Sequence, residues 1–571
     1  MAKDKVITST KPIRSLPLVL LLGLFYFLSG CAGQLQPREA MVATAHPLAT
    51  QAALRSLDAG GNAFDAAVAA ASVLAVVEPY SAGLGGGGFW LLQKNTGEAT
   101  FIDARETAPA AAARDMYLDS AGVPRKDFPS RNGALAAAIP GQAAAFAHIN
   151  ERYALRPLSA NLSDAILFAQ RGFRTDHLYR KMAGYRLDAL KASPASTKIF
   201  LNNGELPDNG FAIKQPELAN TLFQLGRKGR EAFYEGELAE KLVQDVRQAG
   251  GIWSLEDLHN YHVIERQPIK FESHGYQILS APPPSSGGIA LNQMFGILDR
   301  LPESNDLLNT AHGSATRTHL LSEIMSLAYR DRSRWLGDSD FIKIPQAELV
   351  SDLYLTDLAK QVDVFKHYPT DNTHAIDTQH HTTHLSIIDK SGNRVAATFS
   401  INLPFGSGFT SEATGLLLNN EMDDFSIAPG IPNAYGLTGN IANEIAPGKR
   451  PLSSMSPTIA ESAEKVIIIG TPGGSRIISM VFLGLLDAIA GKNALEVVSA
   501  PRFHHQHSPD EIQYEPQSLT DESMQQLINL GHHLKNTGRQ YGNMQLIIWN
   551  KDSQTLDGAS DPRGKGQTLH R

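Results

Sequence analysis

The stretch from His380 to Asn402, HHTTHLSIIDKSGNRVAATFSIN, constrains the fold more than any other. Thr383–Asp389 alternates imperfectly between apolar and polar residues, Lys390-Ser391-Gly392-Asn393 is a turn signal, and Arg394–Ile401 returns as a second strand. With the turn centred at Ser391–Gly392, the start of the first strand lies beside the end of the second. That places Ser400 and Asn402 next to Thr382, within a one-residue uncertainty of register. Upstream, Lys366–His381 is polar, rich in His, Asp and Thr, and without apolar periodicity, so it reads as a surface segment or linker. Two threonines therefore stand where a loop gives way to a strand, among three histidines.

Three readings fit that placement. His380, His381 and His384, with His374 nearby, could hold a metal, although zinc ligands usually come as spaced pairs on ordered elements. A plain hairpin is the second. The third is an internal cleavage that makes Thr382 a new N-terminus. A terminal threonine carries its own base, because an α-amine with a pKa of about 7.7–8.0 can take the hydroxyl proton near neutrality. A neighbouring hydroxyl and amide, Ser400 and Asn402, could orient that amine and bind substrate.

The 571 residues can bury a large core, and length alone allows roughly two to four domains. Ordinary apolar and charged fractions argue against disorder and against a multispanning membrane protein. A net charge of -7 is mild and shows no sign of the basic surface of a nucleic-acid binder. The N-terminus is more specific. Lys3, Lys5, Lys11 and Arg14 precede the apolar run Pro17–Cys31, too short for a comfortable transmembrane helix but suited to a signal-peptide core. Leu28-Ser29-Gly30-Cys31 resembles a lipobox, in which the cysteine is lipidated; ordinary signal cleavage beside a chance cysteine is the rival. Cys31 is the single cysteine of the chain, so an exported protein with no possible disulfide has one evident use for it, a membrane anchor. Residues 1–30 then form a lipoprotein signal peptide and 31–37 a tether, which makes the expected location periplasmic and membrane-anchored.

Along the chain, Ala63–Val77 reads as a buried alanine-rich helix ended by Pro79. Gly83, Gly85 and Gly88 match G-x-G-x-x-G, but here the helix precedes and the strand follows, the reverse of a dinucleotide site, so close backbone packing is the better reading. Helices are expected at Glu217–Leu225, Gly236–Gln248, Glu323–Arg334 (partly exposed through its arginines) and Ile477–Ala490, and strands at Gly415–Leu418 and Val466–Ile469. Strands and helices in both halves suggest layered sheets with helices outside.

Six ordered blocks carry a resemblance to the γ-glutamyltransferase (γ-glutamyltranspeptidase) family: Phe101–Pro109, Thr382–Asn393, Gly415–Ser426, Lys449–Thr458, Thr471–Ile478 and Ala500–Gln506. It runs from about Arg38 to Pro562. It implies an α+β, four-layer αββα sandwich of the N-terminal-nucleophile hydrolase type, made as one precursor and self-cleaved into large (38–381) and small (382–571) subunits. Thr382 becomes the nucleophile, freed by its own attack on the His381 carbonyl, and Thr383 supports it through hydrogen bonding. Ser400 stands where the family often has threonine, and keeps the hydroxyl. Arg105 is expected to clamp the donor α-carboxylate, its rival role being an ion pair with Asp103 or Glu106. Ser453 and Ser454 add donors to the same carboxylate, while Asn402, Glu421 and Asp424 receive the α-ammonium. Gly473 and Gly474, between a strand and a helix, suit an oxyanion hole. Tyr435, in the Gly- and Pro-rich Pro429–Pro451 segment, matches a lid aromatic. His504, His505 and His507 read as structural. Glutathione is the obvious donor, amino acids, peptides or water the acceptors, and no cofactor or metal is implied. A glutaryl or cephalosporin acylase and a catalytically silent binding lipoprotein are the rival functions.

Overall fold

The hairpin forms in the register that brings Thr382 opposite Ser400. In the computed structural model, the described residues are Met1, Asp4, Lys5, 7–9, 35–370, 382–428 and 430–571. The whole apolar run Pro17–Cys31, His374, His380 and His381 lie outside them. By contact the chain divides into two units, Met1–Gln36 and Pro37–Arg571, and every described helix and strand belongs to the second. Among the described residues, no helix is long and apolar enough to cross a membrane.

In chain order the strands of the two large sheets are β1 (Met41–Thr44), β2 (Gly87–Gln93), β3 (Ala99–Ala104), β4 (Ile264–Arg266), β5 (Ile269–Ser273), β6 (Tyr276–Ser280), β7 (Thr382–Ile388), β8 (Arg394–Ser400), β9 (Thr458–Glu461), β10 (Lys465–Gly470), β11 (Gln545–Asn550), β12 (Thr555–Ser560) and β13 (Gln567–His570). The helices that bear on the site are α1 (Pro47–Asp58), α2 (Ala63–Val77), α3 (Gly287–Leu298), α4 (Ala315–Trp335) and α5 (Ile477–Ile489). One sheet runs β13-β1-β7-β8-β2-β3-β4 and the other β12-β11-β10-β9-β6-β5. The result is a mixed α+β protein in which β7 and β8 face β10 and β11 of the second sheet, α2 covers β7 and β8 from behind, and α5 lies on β10.

Strand alternation sorts the core. Leu385, Ile387, Val395, Ala397 and Phe399 pack with α2, whereas Ile388 and Ala396 join the core between the sheets. Thr382, His384, Ser386, Thr398 and Ser400 share that second face. There His384 Nδ1 pairs with Thr398 Oγ1 at 2.7 Å, and Ser386 Oγ donates across to the Ile468 carbonyl at 3.2 Å. Burial pushes the His384 imidazole down to about 3, so it is neutral. Helix α2 is buried along its whole length, and its alanines let it lie close to the sheet; Asn62 and Asp65 form its capping box. The glycines before β2 do what close packing asks: a Cβ on Gly86 would lie 2.2 Å from the Ser400 carbonyl oxygen.

Three expectations change. Gly415–Leu418 is not a strand; it makes only the isolated bridges Gly85–Leu418 and Thr410–Leu417, because Gly415 has φ +69° and the segment folds back on Ser411. Helix α4 begins at Ala315, eight residues before Glu323, capped by the Ser314 side chain; Arg330 and Arg334 keep the expected exposure, but Arg332 is buried. Of the polar segment 366–381, the described part is not a plain surface linker: His367 is buried between Glu323, at 2.6 Å, and Asp510, at 3.0 Å.

Candidate active site

Thr382 opens β7 on the face toward the second sheet, its Oγ1 3.2 Å from Ser400 Oγ. Ser400 Oγ also accepts the Asn402 amide at 2.9 Å, and Asn402 Nδ2 donates to the Asn420 carbonyl at 2.9 Å. Asn402 has φ +72°, a turn that ends β8 and swings its side chain toward the acidic block. The structure does not place Thr383 as expected. Successive residues of a strand point to opposite faces, so the Thr383 hydroxyl turns away from Thr382 to the face packed on α2, where it is buried without a hydrogen-bond partner among the described residues.

On one side of Thr382 is a cavity lined by Arg105, Arg332, Ser400, Asn402, Glu421, Asp424, Tyr435, Ser453, Ser454 and Gly474. Arg105 follows β3 directly and is fully buried. Its Nη1 lies 2.7 Å from Glu421 and 3.6 Å from Glu106, its Nη2 2.5 Å from Asp424, and its Nε donates to the Pro451 carbonyl. Asp103 is not its side-chain partner; it pairs with Arg266 at 2.9 Å and Arg450 at 3.5 Å. One guanidinium thus faces three carboxyl groups. Burial raises all three, Glu106 to about 7, Asp424 above its usual range and Glu421 well above, while Arg105 holds them back. The cluster is short of positive charge, which suits an incoming cation.

Arg332 is the residue that sequence reasoning missed here. Its Nε donates to Ser286 at 3.0 Å and its Nη2 to Ser454 at 3.1 Å, and burial lowers its pKa. The signal was helical spacing: Leu321, Met325, Ala328 and Arg332 fall on one buried face of α4. Tyr435 roofs the cavity, its hydroxyl donating to the Asn402 carbonyl at 3.0 Å and contacting the Asn402 side chain. Asp423 anchors that roof by accepting from Ser130 at 2.7 Å and the Ala434 amide at 3.0 Å. What remains is about 20 Å³, room for a single water.

A second cavity of about 120 Å³ opens on the other side, lined by Glu78, Tyr80, Lys181, Gly473, Arg476, Arg539, Tyr541 and Arg563 among others. Among the described residues, Thr382 is the one common to both linings. Gly473 and Gly474 divide them at the entrance to α5. Gly473 has φ +148° and Gly474 φ +58°, and a Cβ on Gly473 would meet the Met480 side chain at 2.3 Å. Amides at a helix start lack intrahelical partners and concentrate positive potential, as an oxyanion needs.

One group of described residues could hold a metal: His319, Glu323 and His532. None of them lines either cavity. His319 Nε2 lies 2.7 Å from the Asp363 carbonyl and so donates, which leaves Nδ1 to accept from His532 Nε2 at 2.7 Å, a hydrogen-bond spacing. His367, held between two carboxylates, is pushed up to about 9. Protons satisfy this cluster. His504, bonded to Ser479, and His505, beside Asp510, are buried in the same region.

A hydroxyl shared by two polar cavities, beside a helix start and a charged recognition cluster, is the layout of an acyl-transfer enzyme. The chain belongs to the gamma-glutamyltranspeptidase family, whose profile matches residues 49–570. It is 40% identical over 535 residues to the glutathione hydrolase proenzyme of Escherichia coli (strain K12), covering 92% of this chain and 90% of that one. Among solved structures it is similar to a cephalosporin acylase from Bacillus halodurans (TM-score 0.81, 25% identity, 94% and 96% covered). It is also similar to the Helicobacter pylori gamma-glutamyltranspeptidase (TM-score 0.54, 33% identity, 56% and 90% covered). The chain is accordingly an enzyme of γ-glutamyl transfer and hydrolysis.

Proposed function

We propose that this enzyme transfers or hydrolyses the γ-glutamyl group of glutathione and related compounds through an ester on Thr382, after autocatalytic cleavage of the His381–Thr382 bond into subunits 38–381 and 382–571. The observation that carries the reading is the position of Thr382 between the two cavities. The first suits the glutamyl head: Arg105, Ser453 and Ser454 face its α-carboxylate, and Asn402, Glu421 and Asp424 its α-ammonium. The donor carboxylate must draw Arg105 away from Glu421 and Asp424, which frees those two for the ammonium. The second cavity, rich in basic residues, suits the carboxylate-bearing leaving group and acceptor.

In this scheme the α-amine of Thr382 takes the Oγ1 proton as Oγ1 attacks the γ-carbonyl. Amides at Gly473 and Gly474 stabilise the oxyanion, and the protonated leaving amine departs. Water or an acceptor amine then attacks the ester and returns the hydroxyl to Thr382. The paired sheets with helices on both outer sides support the four-layer sandwich of N-terminal-nucleophile hydrolases. The lone Cys31 after a basic and apolar leader supports a lipid anchor and a periplasmic location.

N-terminal sequencing and intact mass of the protein should find one chain beginning at Cys31, lipidated, and one at Thr382. Active enzyme found as one uncut chain sinks the nucleophile. Thr382→Ala should stay uncut and inactive. The fold's likeness to a cephalosporin acylase keeps one rival in view. A γ-glutamyl anilide should be turned over in preference to a glutaryl anilide, since Glu421 and Asp424 have no task with a substrate lacking the ammonium.

A further inference from the structure

Arg332 lines the first cavity without a carboxylate of its own. Its hydrogen-bond partners among the described residues are two hydroxyls, Ser286 Oγ on Nε at 3.0 Å and Ser454 Oγ on Nη2 at 3.1 Å. The residue is 5% exposed, and a guanidinium buried to that degree normally has an anion in contact. Its place in the last turn of α4 sets it at the negative end of the helix, which offsets part of the burial. N–H groups remain on it after the two serines are served, on a side chain that borders the cavity beside Thr382. Arg105 in the same lining is the contrary case, one guanidinium already shared among Glu106, Glu421 and Asp424.

The serines around Arg332 are polarised in one direction. Arginine only donates, so Ser454 Oγ accepts from it and keeps its own hydrogen to give. Ser453 Oγ accepts the Met455 amide at 3.1 Å and is left in the same condition. Ser286 Oγ accepts from Arg332 and passes its hydrogen to the Ser453 carbonyl at 2.8 Å, while the Ser286 amide donates to that carbonyl at 2.9 Å. Arg332 therefore fixes the side chain of Ser454 directly and the backbone of Ser453 through Ser286. The cavity meets here a cation and two hydroxyl donors, a set that suits one planar anion. In a glutamyl head that anion is the α-carboxylate.

We propose that Arg332 is a positioning residue of the donor site and its second source of positive charge, aiming the Ser454 hydroxyl at the α-carboxylate and sharing that carboxylate with Arg105. This rests on the reading of the first cavity as the seat of the glutamyl head. Arg105 must leave Glu421 and Asp424 to meet the carboxylate, whereas Arg332 gives up no ion pair among the described residues.

The test uses full-length wild type, Arg332→Gln and Arg332→Lys, each checked for the cut at Thr382 by intact mass. Two donors are compared, a γ-glutamyl anilide and the same anilide with its α-carboxylate converted to a carboxamide. Wild type should favour the carboxylate donor by about a hundredfold or more in kcat/KM. Arg332→Gln should raise KM for that donor about tenfold, with a smaller fall in kcat, and change the carboxamide donor little. The preference then shrinks by about tenfold. Arg332→Lys should recover part of it, because the charge stays and the planar fork is lost. An arginine that merely braced the loop would slow both donors alike. A preference equal to that of wild type in either matured variant overturns the proposal. So does failure of both variants to mature, which would make Arg332 a folding residue. A wild type indifferent to the α-carboxylate overturns instead the reading of this cavity as a glutamyl site.

Discussion

Arg105 shows how one residue can serve recognition and stability together. Among the described residues it is the one guanidinium paired with Glu106, Glu421 and Asp424, so Arg105→Ala strands buried carboxyl groups as well as removing a clamp. Breaking a buried pair from one side typically costs about 3–5 kcal/mol. Urea unfolding at pH 8 should show a loss of that order, and kinetics should show KM rising more than kcat falls. The loss should shrink at pH 5. A carboxyl with a raised folded pKa holds a proton that the unfolded chain has already released. Its contribution therefore falls as pH rises from the ordinary carboxylate range to the folded value, about 7 for Glu106. Arg105→Ala widens that window upward, so its unfolding free energy should depend on pH more steeply than that of the wild type. Equal losses at both pH values would refute this account. Much at this scale was legible in sequence, because the blocks around Arg105, Glu421 and Ser453 are short and local. Arg332 was not, since a buried charge on a helix looks in sequence like any exposed one until its neighbours are known.

At the scale of elements, the segment after the acidic block behaves as a roof. Tyr435 is tied by its hydroxyl to Asn402, and the loop beneath it by Asp423 to Ser130. With space for one water beneath, the roof must lift for a glutamyl group to enter. Tyr435→Phe should weaken the closed state with a modest rise in KM. Tyr435→Ala should admit water to the ester and raise the share of hydrolysis over transfer, read as the ratio of free glutamate to γ-glutamyl product. An unchanged ratio would remove the roof from the mechanism. The entrance to α5 is the opposite kind of element, rigid by construction. Gly473→Ala meets both a forbidden φ and the Met480 side chain, and should lower kcat by roughly 10²-fold or more. The hairpin and most helices were readable because strand alternation, turn residues and caps are local signals. The false strand at Gly415–Leu418 came from an apolar run whose glycine adopts a positive φ, something spacing does not reveal. Likewise two adjacent threonines read as partners, while the pleat sends them to opposite faces.

For the whole molecule, the important fact is the order of the first sheet. Strands β7 and β8 lie between β1 and β2, so residues from after Thr382 are sandwiched by residues from before it. Cut enzyme should run as one species on size exclusion and part into two only in denaturant. Separation in native buffer would contradict the sheet order. That interleaving also gives the enzyme a direction in time. A single chain that unfolds keeps its halves tethered and searches for its register as a first-order process. Two severed chains must find each other by diffusion, and at high dilution the central strands meet solvent or other sticky edges first. Heating followed by cooling should therefore restore Thr382→Ala protein far better than cut wild type. Maturation, on this view, exchanges repairability for a nucleophile: the molecule gains its chemistry once and cannot return to the state from which it folded.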